Sequence, residues 1–214
     1  MPVAFMASLM VTESEKLVFP FLFELTKSFL SDGHHVHLIT KTKIEDVPLT
    51  IDKSEDLCVD SLSRLTIKYL ENAQQLIQYA IDLQFMLSRQ GGKPPKAILI
   101  QGLQNYFDSE DYGDMALALL LSALKALSSS MKINVELFAG YEVNPNRPSQ
   151  ITLEFLKTNF FKRSWHFSLV GQNGVIKELD EEKRITVQML FTIQKSVVSI
   201  NNKQFLTYFR IPEH

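Results

Sequence analysis

The chain has one cysteine, Cys58, one tryptophan and only eight glycines in 214 residues. A single thiol excludes an intrachain disulfide framework and fits a reducing compartment. Its 22 basic and 24 acidic side chains leave a formal charge of −2, so no basic coat covers the surface. Any contact with nucleic acid must therefore be local or shared with a partner. No unbroken apolar run reaches the ~20 residues that cross a bilayer. The apolar start lacks a basic leader segment and is cut short by Glu13, Glu15 and Lys16. These absences predict a soluble, intracellular protein. What is present is 45% apolar residues, enough for one sizeable core.

Along the chain, residues 3–10 read as a buried strand, and 17–30 place Phe21, Leu25 and Phe29 at helical spacing, with Pro20 tolerable in the first turn. Ser31-Asp32-Gly33 stops that helix, and 35–40 alternate into a second strand, an order that favours a parallel pair with a right-handed crossover. Residues 41–60 form a loop with one short strand near 57–59. Residues 61–89 are predicted as one long helix, with Leu62, Leu65, Tyr69, Leu76, Ala80, Leu83 and Leu87 near one side, ended by Gly91-Gly92-Lys93-Pro94-Pro95. A strand at 97–100, a helix at 113–129, a strand at 133–139 and a short helix at 152–161 follow. The tail turns to strands at 165–169, 175–179, 185–191 and 205–210, with turns at Gly171 to Gly174 and at Asn201-Asn202. The sum is a single α/β domain spanning 1–214. Residues 1–170 form a core whose mainly parallel sheet is flanked by helices, and 171–214 form a C-terminal antiparallel β extension.

In such a domain, residues 2–30 stand where the first strand meets a phosphate-binding loop and the first helix. Laid on the pattern G-x-x-x-x-G-K-[ST], the positions are Met10, Val11, Thr12, Glu13, Ser14, Glu15, Lys16 and Leu17, so only the lysine matches. Both glycines, which let successive backbone N–H groups converge on an anion, are missing. Glu13 and Glu15 would set carboxylates where phosphate charge belongs, and Leu17 has no hydroxyl for Mg²⁺. Without a phosphate the turn is an acidic helix N-terminus, and Lys16 a surface ion-pair partner.

Other constellations carry less chemistry. His34, His35 and His37 lack the cysteine or acidic companions of a metal site, and no metal is expected. Asp108, Glu110, Asp111 and Asp114 fit a solvated loop capping the next helix. Cys58 lies in an acidic stretch without a base, which gives nucleophilic catalysis no support. Lys157, Lys162 and Arg163, beside Trp165 and His166, have the ingredients of a single-strand DNA platform, or equally of a solvated helix end beside a buried ring. Tyr106 and Phe107 are candidates for a partner interface, or for core packing.

The sequence AILIQGLQNYF, the helix ALALLLSALKAL, then NVELFAGYEV and LEFLKTNFFKRSWHFSL resemble the second half of a RecA-like core. Among such cores they look most similar to the small recombinase paralogues of Shu-type complexes, in particular the ATPase-like partner of SWIM-domain proteins. The resemblance spans most of residues 1–170 and puts Gln101 at the Walker B aspartate, Thr40-Lys41-Thr42 at the catalytic glutamate and Ala139-Gly140-Tyr141 at the polar sensor. It implies a degenerate nucleotide site comprising Met10, Glu13, Glu15, Lys16, Leu17 and Gln101, no catalytic residues and no cofactor. It further implies a nuclear subunit that forms a heterodimer with another recombinase paralogue or a SWIM-domain protein. That pair would support a recombinase filament on single-stranded DNA, contacting DNA through the complex. The family's N-terminal helical domain and linker phenylalanine motif are not seen ahead of the first strand, so the expectation is a core that pairs with a related core without propagating a filament. Two rival expectations stand beside this one: an ATP-binding subunit that uses Lys16 with a partner's residues, and an unrelated α/β metabolic enzyme with a deep pocket at the C-terminal ends of the strands.

Overall fold

Ala97, Ile98, Leu99 and Ile100 have no polar face to offer solvent, and they form a strand buried on both sides, as the inner strands of parallel sheets are. A computed structural model describes residues 5–13, 15–44, 50–51, 58–86, 93–107, 112–143, 152–180, 182, 184–194 and 197–200. The elements run β1 (Phe5–Thr12), α1 (Glu15–Ser31), β2 (Val36–Thr40), β3 (Thr50–Ile51), α2 (Val59–Leu62), β4 (Leu65–Tyr69), α3 (Ala73–Met86) and β5 (Ala97–Ile100). After a 3-10 turn (Leu103–Tyr106) come α4 (Gly113–Met131), β6 (Val135–Glu142), α5 (Leu153–Asn159), β7 (Arg163–Val170), β8 (Asn173–Leu179), β9 (Ile185–Gln194) and β10 (Val197–Ile200).

All ten strands share one sheet in the order β3-β10-β9-β8-β7-β1-β6-β5-β2-β4. From β4 to β7 every neighbouring pair is parallel, and β7 through β10 are antiparallel, so the mainly parallel core with C-terminal antiparallel strands is present. Alternation along β1 sends Leu9 and Val11 to the face covered by α3 and α4, and Met10 to the face covered by α1. On that second face Leu17, Phe21, Leu22, Leu25, Phe29 and Leu30 of α1 are buried, each burial stabilising by about 1.5–3 kcal/mol. Gly33, at φ 83°, ends the helix, and the His34 N–H returns to the Phe29 carbonyl at 3.0 Å.

Several expectations are corrected. Residues 61–89 are not one helix: β4 interrupts them as the outermost parallel strand, paired with β2. Val59 opens α2 rather than closing a strand, and Thr50–Ile51 form β3 inside the expected loop. Helix α1 starts early enough to put Pro20 in its second turn, where the ring removes one backbone bond. β10 lies ahead of Asn201-Asn202; that turn and the strand expected at 205–210 fall outside the described residues. α4 is long and apolar enough to span a membrane by length and composition alone. Its Ala116, Leu117, Leu120, Leu124 and Leu127 are packed in the core with α3 and the sheet.

Candidate functional site

The C-terminal ends of β1, β2, β5 and β6 are where a sheet of this order offers a ligand site. β1 stays paired with β6 through Thr12↔Glu142, the Val143 N–H reaching the Thr12 carbonyl at 2.7 Å, and α1 begins at Glu15. Met10, Val11 and Thr12 are therefore strand residues, not loop residues, and Met10 is 0% exposed among apolar neighbours. Leu17 is 1% exposed in the first turn of α1. Glu13 is exposed at the strand end, while the Glu15 and Lys16 side chains lie outside the described residues.

On the face of the sheet that α1 covers, its side chains pack closely on β6. A Cβ built on Gly140 of β6 would come within 2.6 Å of Val18 Cγ1, 3.2 Å of Leu22 Cδ1 and 3.4 Å of the Ile100 carbonyl oxygen. Only glycine permits that approach, and what approaches is hydrocarbon. Ala139 and Tyr141 beside it are buried, as is Thr40, whose hydroxyl donates to the Thr42 carbonyl at 3.0 Å. Gln101 follows β5 with its N–H held by the Ile39 carbonyl at 2.8 Å. Its amide oxygen is buried without a hydrogen-bond partner among the described residues. A neutral amide cannot gather the charge with which a carboxylate orders a metal-bound water.

Tyr106 and Phe107 do not form a surface. Both are buried; the Tyr106 hydroxyl donates to the Leu70 carbonyl at 3.1 Å, and Phe107 packs tightly on Gly113 at the start of α4. Burial of its phenol pushes the Tyr106 pKa well up from the usual value. These residues lock the turn after β5 to α4, which corrects the interface expectation. Apolar side chains face outward at several places, among them Phe85 on α3 and Val170, Ile185 and Leu190 on the C-terminal strands; one group lies around the last strand of the parallel core, with Ile67 and Tyr69 on β4, 38% and 47% exposed, and Val59 and Leu62 on α2.

The cation-rich segment is split as well. Arg163 lies in β7, where its Nε donates to the Glu178 carboxylate, Nη1 points at Met6 Sδ at 3.3 Å, and the guanidinium stands 4.9 Å over the Trp165 ring. Trp165 is wholly buried and offers no face to a base. Lys157 on α5 stands 3.4 Å from His166 Nε2. Burial, and then the Lys157 charge, lower His166 to about 4. Lys162 is exposed. The expected DNA platform of Lys157, Lys162 and Arg163 is thus not assembled as one strip, because the half-buried Arg163 is engaged with Glu178 and Trp165. Sequence reasoning also missed the His37–Tyr79 hydrogen bond, 2.6 Å, in which burial drives His37 down to about 4 and Tyr79 upward. Among the described residues no cluster of three or more metal-binding side chains forms.

No known family's sequence pattern matches the chain, and no curated protein matches it. Solved structures do. The chain is similar to a KaiC-like protein from the hyperthermophilic archaeon Pyrococcus horikoshii OT3, at 10% identity and a TM-score of 0.53. It is also similar to the flagellar accessory protein FlaH from Methanocaldococcus jannaschii, at 12% identity and a TM-score of 0.56. In each case the alignment covers 92% of this chain and 89% of the other. Sheet order, flanking helices and these likenesses together give the chain a RecA-like fold.

Proposed function

We propose that this chain is a non-catalytic RecA-like subunit of a nuclear recombination accessory complex. It pairs with another recombinase paralogue or a SWIM-domain protein, and the pair steadies a recombinase filament on single-stranded DNA. The observation that carries the non-catalytic part is the junction of β1 and α1. Strand pairing continues to Thr12, the helix starts at Glu15, and neither glycine that would let backbone N–H groups converge on a triphosphate is present between them. The recombination part draws on the sequence resemblance, strongest over residues 96–167. A core without turnover can brace a filament by binding one state preferentially, since the work is done by differential affinity.

The surface that fits such a partner is the open side of β4. It is the outermost strand of the parallel core, its far edge carries no strand among those described, and Ile67 and Tyr69 project from it. An open strand edge with apolar side chains is a template for another chain. Affinity purification of the tagged chain from cells tests the reading. Recovery of a recombinase or its paralogues by the parent chain, lost with Ile67→Lys, supports it; recovery of no recombination protein overturns it.

A further inference from the structure

At the N-terminal ends of the strands, where β2, β5 and β6 begin, lies an open groove of about 420 Å³. His34, His35, Lys96, Lys132 and Asn134 supply its polar wall. Lys93 and Arg64 stand close enough that their charges help to depress His35, after burial. Arg64 is held by its Nη2, which donates to the Leu30 carbonyl at 2.9 Å and the Ser61 hydroxyl at 3.1 Å. Set against these cations are Asp32, two residues before His34 in sequence, and Glu136 on β6, which is wholly buried.

Lys132 supplies an independent observation. It is the only described non-glycine residue with a positive φ, 53°, at the C-terminal cap of α4. That conformation costs a side-chain-bearing residue about 1–2 kcal/mol, and helices ordinarily place glycine there. The position is held firmly: the Lys132 N–H donates to the Ser128 carbonyl, as does the Ile133 N–H at 3.2 Å, and the Ser128 hydroxyl donates to the Ile133 carbonyl at 2.7 Å. A lysine thus stands exposed at the rim of a basic groove, where the backbone favours glycine.

We propose that this groove holds the phosphodiester backbone of a nucleic-acid strand, with Lys96 and Lys132 as the cations of its wall and Lys93 beside it. The proposal deepens the accessory-complex reading and rests on it for the source of the strand. It also moves the DNA contact from the α5–β7 segment, where Arg163 is engaged with Glu178, to the N-terminal ends of β2, β5 and β6. Nothing in the wall is a stacking ring beyond the two histidines, so the contact reads charge rather than sequence.

The test measures binding of fluorescent single-stranded and double-stranded oligonucleotides to the full chain, alone and with its co-purified partner, from 0.05 to 0.3 M salt. Lys132→Gly is the informative variant because fold and binding should move in opposite directions. Its melting temperature should be unchanged or higher, while affinity for the strand falls about fivefold at 0.1 M salt and the log–log salt slope shrinks by about 0.7 for single strands. Adding Lys93→Gln should roughly double both binding losses on a logarithmic scale, whereas Lys157→Gln with Lys162→Gln should alter neither. Equal binding by Lys132→Gly and the parent chain overturns the proposal, as does a melting temperature that falls along with binding. Absent oligonucleotide binding by a chain that still recovers recombination proteins overturns the groove and leaves the accessory reading intact. Groove-dependent binding by a chain that recovers none of them has the converse meaning.

Discussion

Val18 rests on Gly140: a Cβ added to the glycine would meet Val18 Cγ1 at 2.6 Å. The contact seats the first turns of α1 on the face of β6. Gly140→Ala should therefore destabilise the fold by about 1–3 kcal/mol, the range for overpacking a filled interior. Val18→Ala in the same chain should recover part of that loss, because the two residues share one space. Denaturant midpoints of the two single variants and the double variant check this, and a neutral Gly140→Ala would contradict it.

Arg163 and Glu178 form an ion pair across the β7–β8 hairpin, and Thr186 donates to the same carboxylate at 2.7 Å. Removing one partner leaves the other charge stranded, so Arg163→Ala should cost about 3 kcal/mol, the lower end for breaking a buried pair because Arg163 retains some solvent contact. Its effect on DNA binding by the remaining folded protein should be nil. A loss of DNA affinity at unchanged stability would restore Arg163 as a contact residue.

The two low-titrating histidines make stability depend on pH. His37 and His166 each fall to about 4 in the folded chain, against an ordinary value near 6.5. Between those values the unfolded chain binds protons that the folded chain refuses. Their contribution is thus complete above pH 6.5 and is lost as pH falls toward 4, at up to about 1.4 kcal/mol per pH unit for each ring. Urea midpoints at pH 7 and pH 5 should show the fall, and His37→Asn with His166→Gln should flatten it. An unchanged midpoint in the parent chain would contradict the burial of both rings.

Much of the frame was legible because burial leaves a pattern. The AILI run gave β5, and the spacing of Phe21, Leu25 and Phe29 gave α1, since both elements face the core along their length. β4 escaped because Leu62, Leu65 and Tyr69 keep helical spacing while Leu65, Ile67 and Tyr69 alternate as a strand. At an exposed edge no burial signal decides between them. Residues 10–12 are strand rather than loop because β1 runs two residues beyond the strand expected at 3–10, held by pairing with Tyr141 and Glu142. The partner of Arg163 lies 15 residues away across a hairpin, and the cover over Tyr106 and Phe107 comes from α3 and α4. No local pattern records such pairings. Lys93 and Lys96 were visible as letters, but only the topology brings them to Lys132.

The two aromatic sets should separate cleanly on substitution. Tyr106→Phe loses its bond to the Leu70 carbonyl and should cost about 1 kcal/mol, and Phe107→Ala about 3–5 kcal/mol, both read as stability. Tyr69→Glu on β4 should leave the denaturant midpoint within the ordinary range for surface changes, about 0.5 kcal/mol, while abolishing recovery of a partner. Partner recovery that survives Tyr69→Glu and Ile67→Lys together would place the interface elsewhere.

The decisive measurement is titration calorimetry of the purified full chain, alone and with its partner, against Mg²⁺ and ATP, paired with a phosphate-release assay and the variant Lys16→Ala. The account expects no saturable heat and no turnover that depends on Lys16, since β1 stays paired through Thr12 and the sequence from Met10 to Leu17 lacks both glycines of a phosphate-binding loop. Saturable binding or steady ATP turnover that Lys16→Ala abolishes would contradict it.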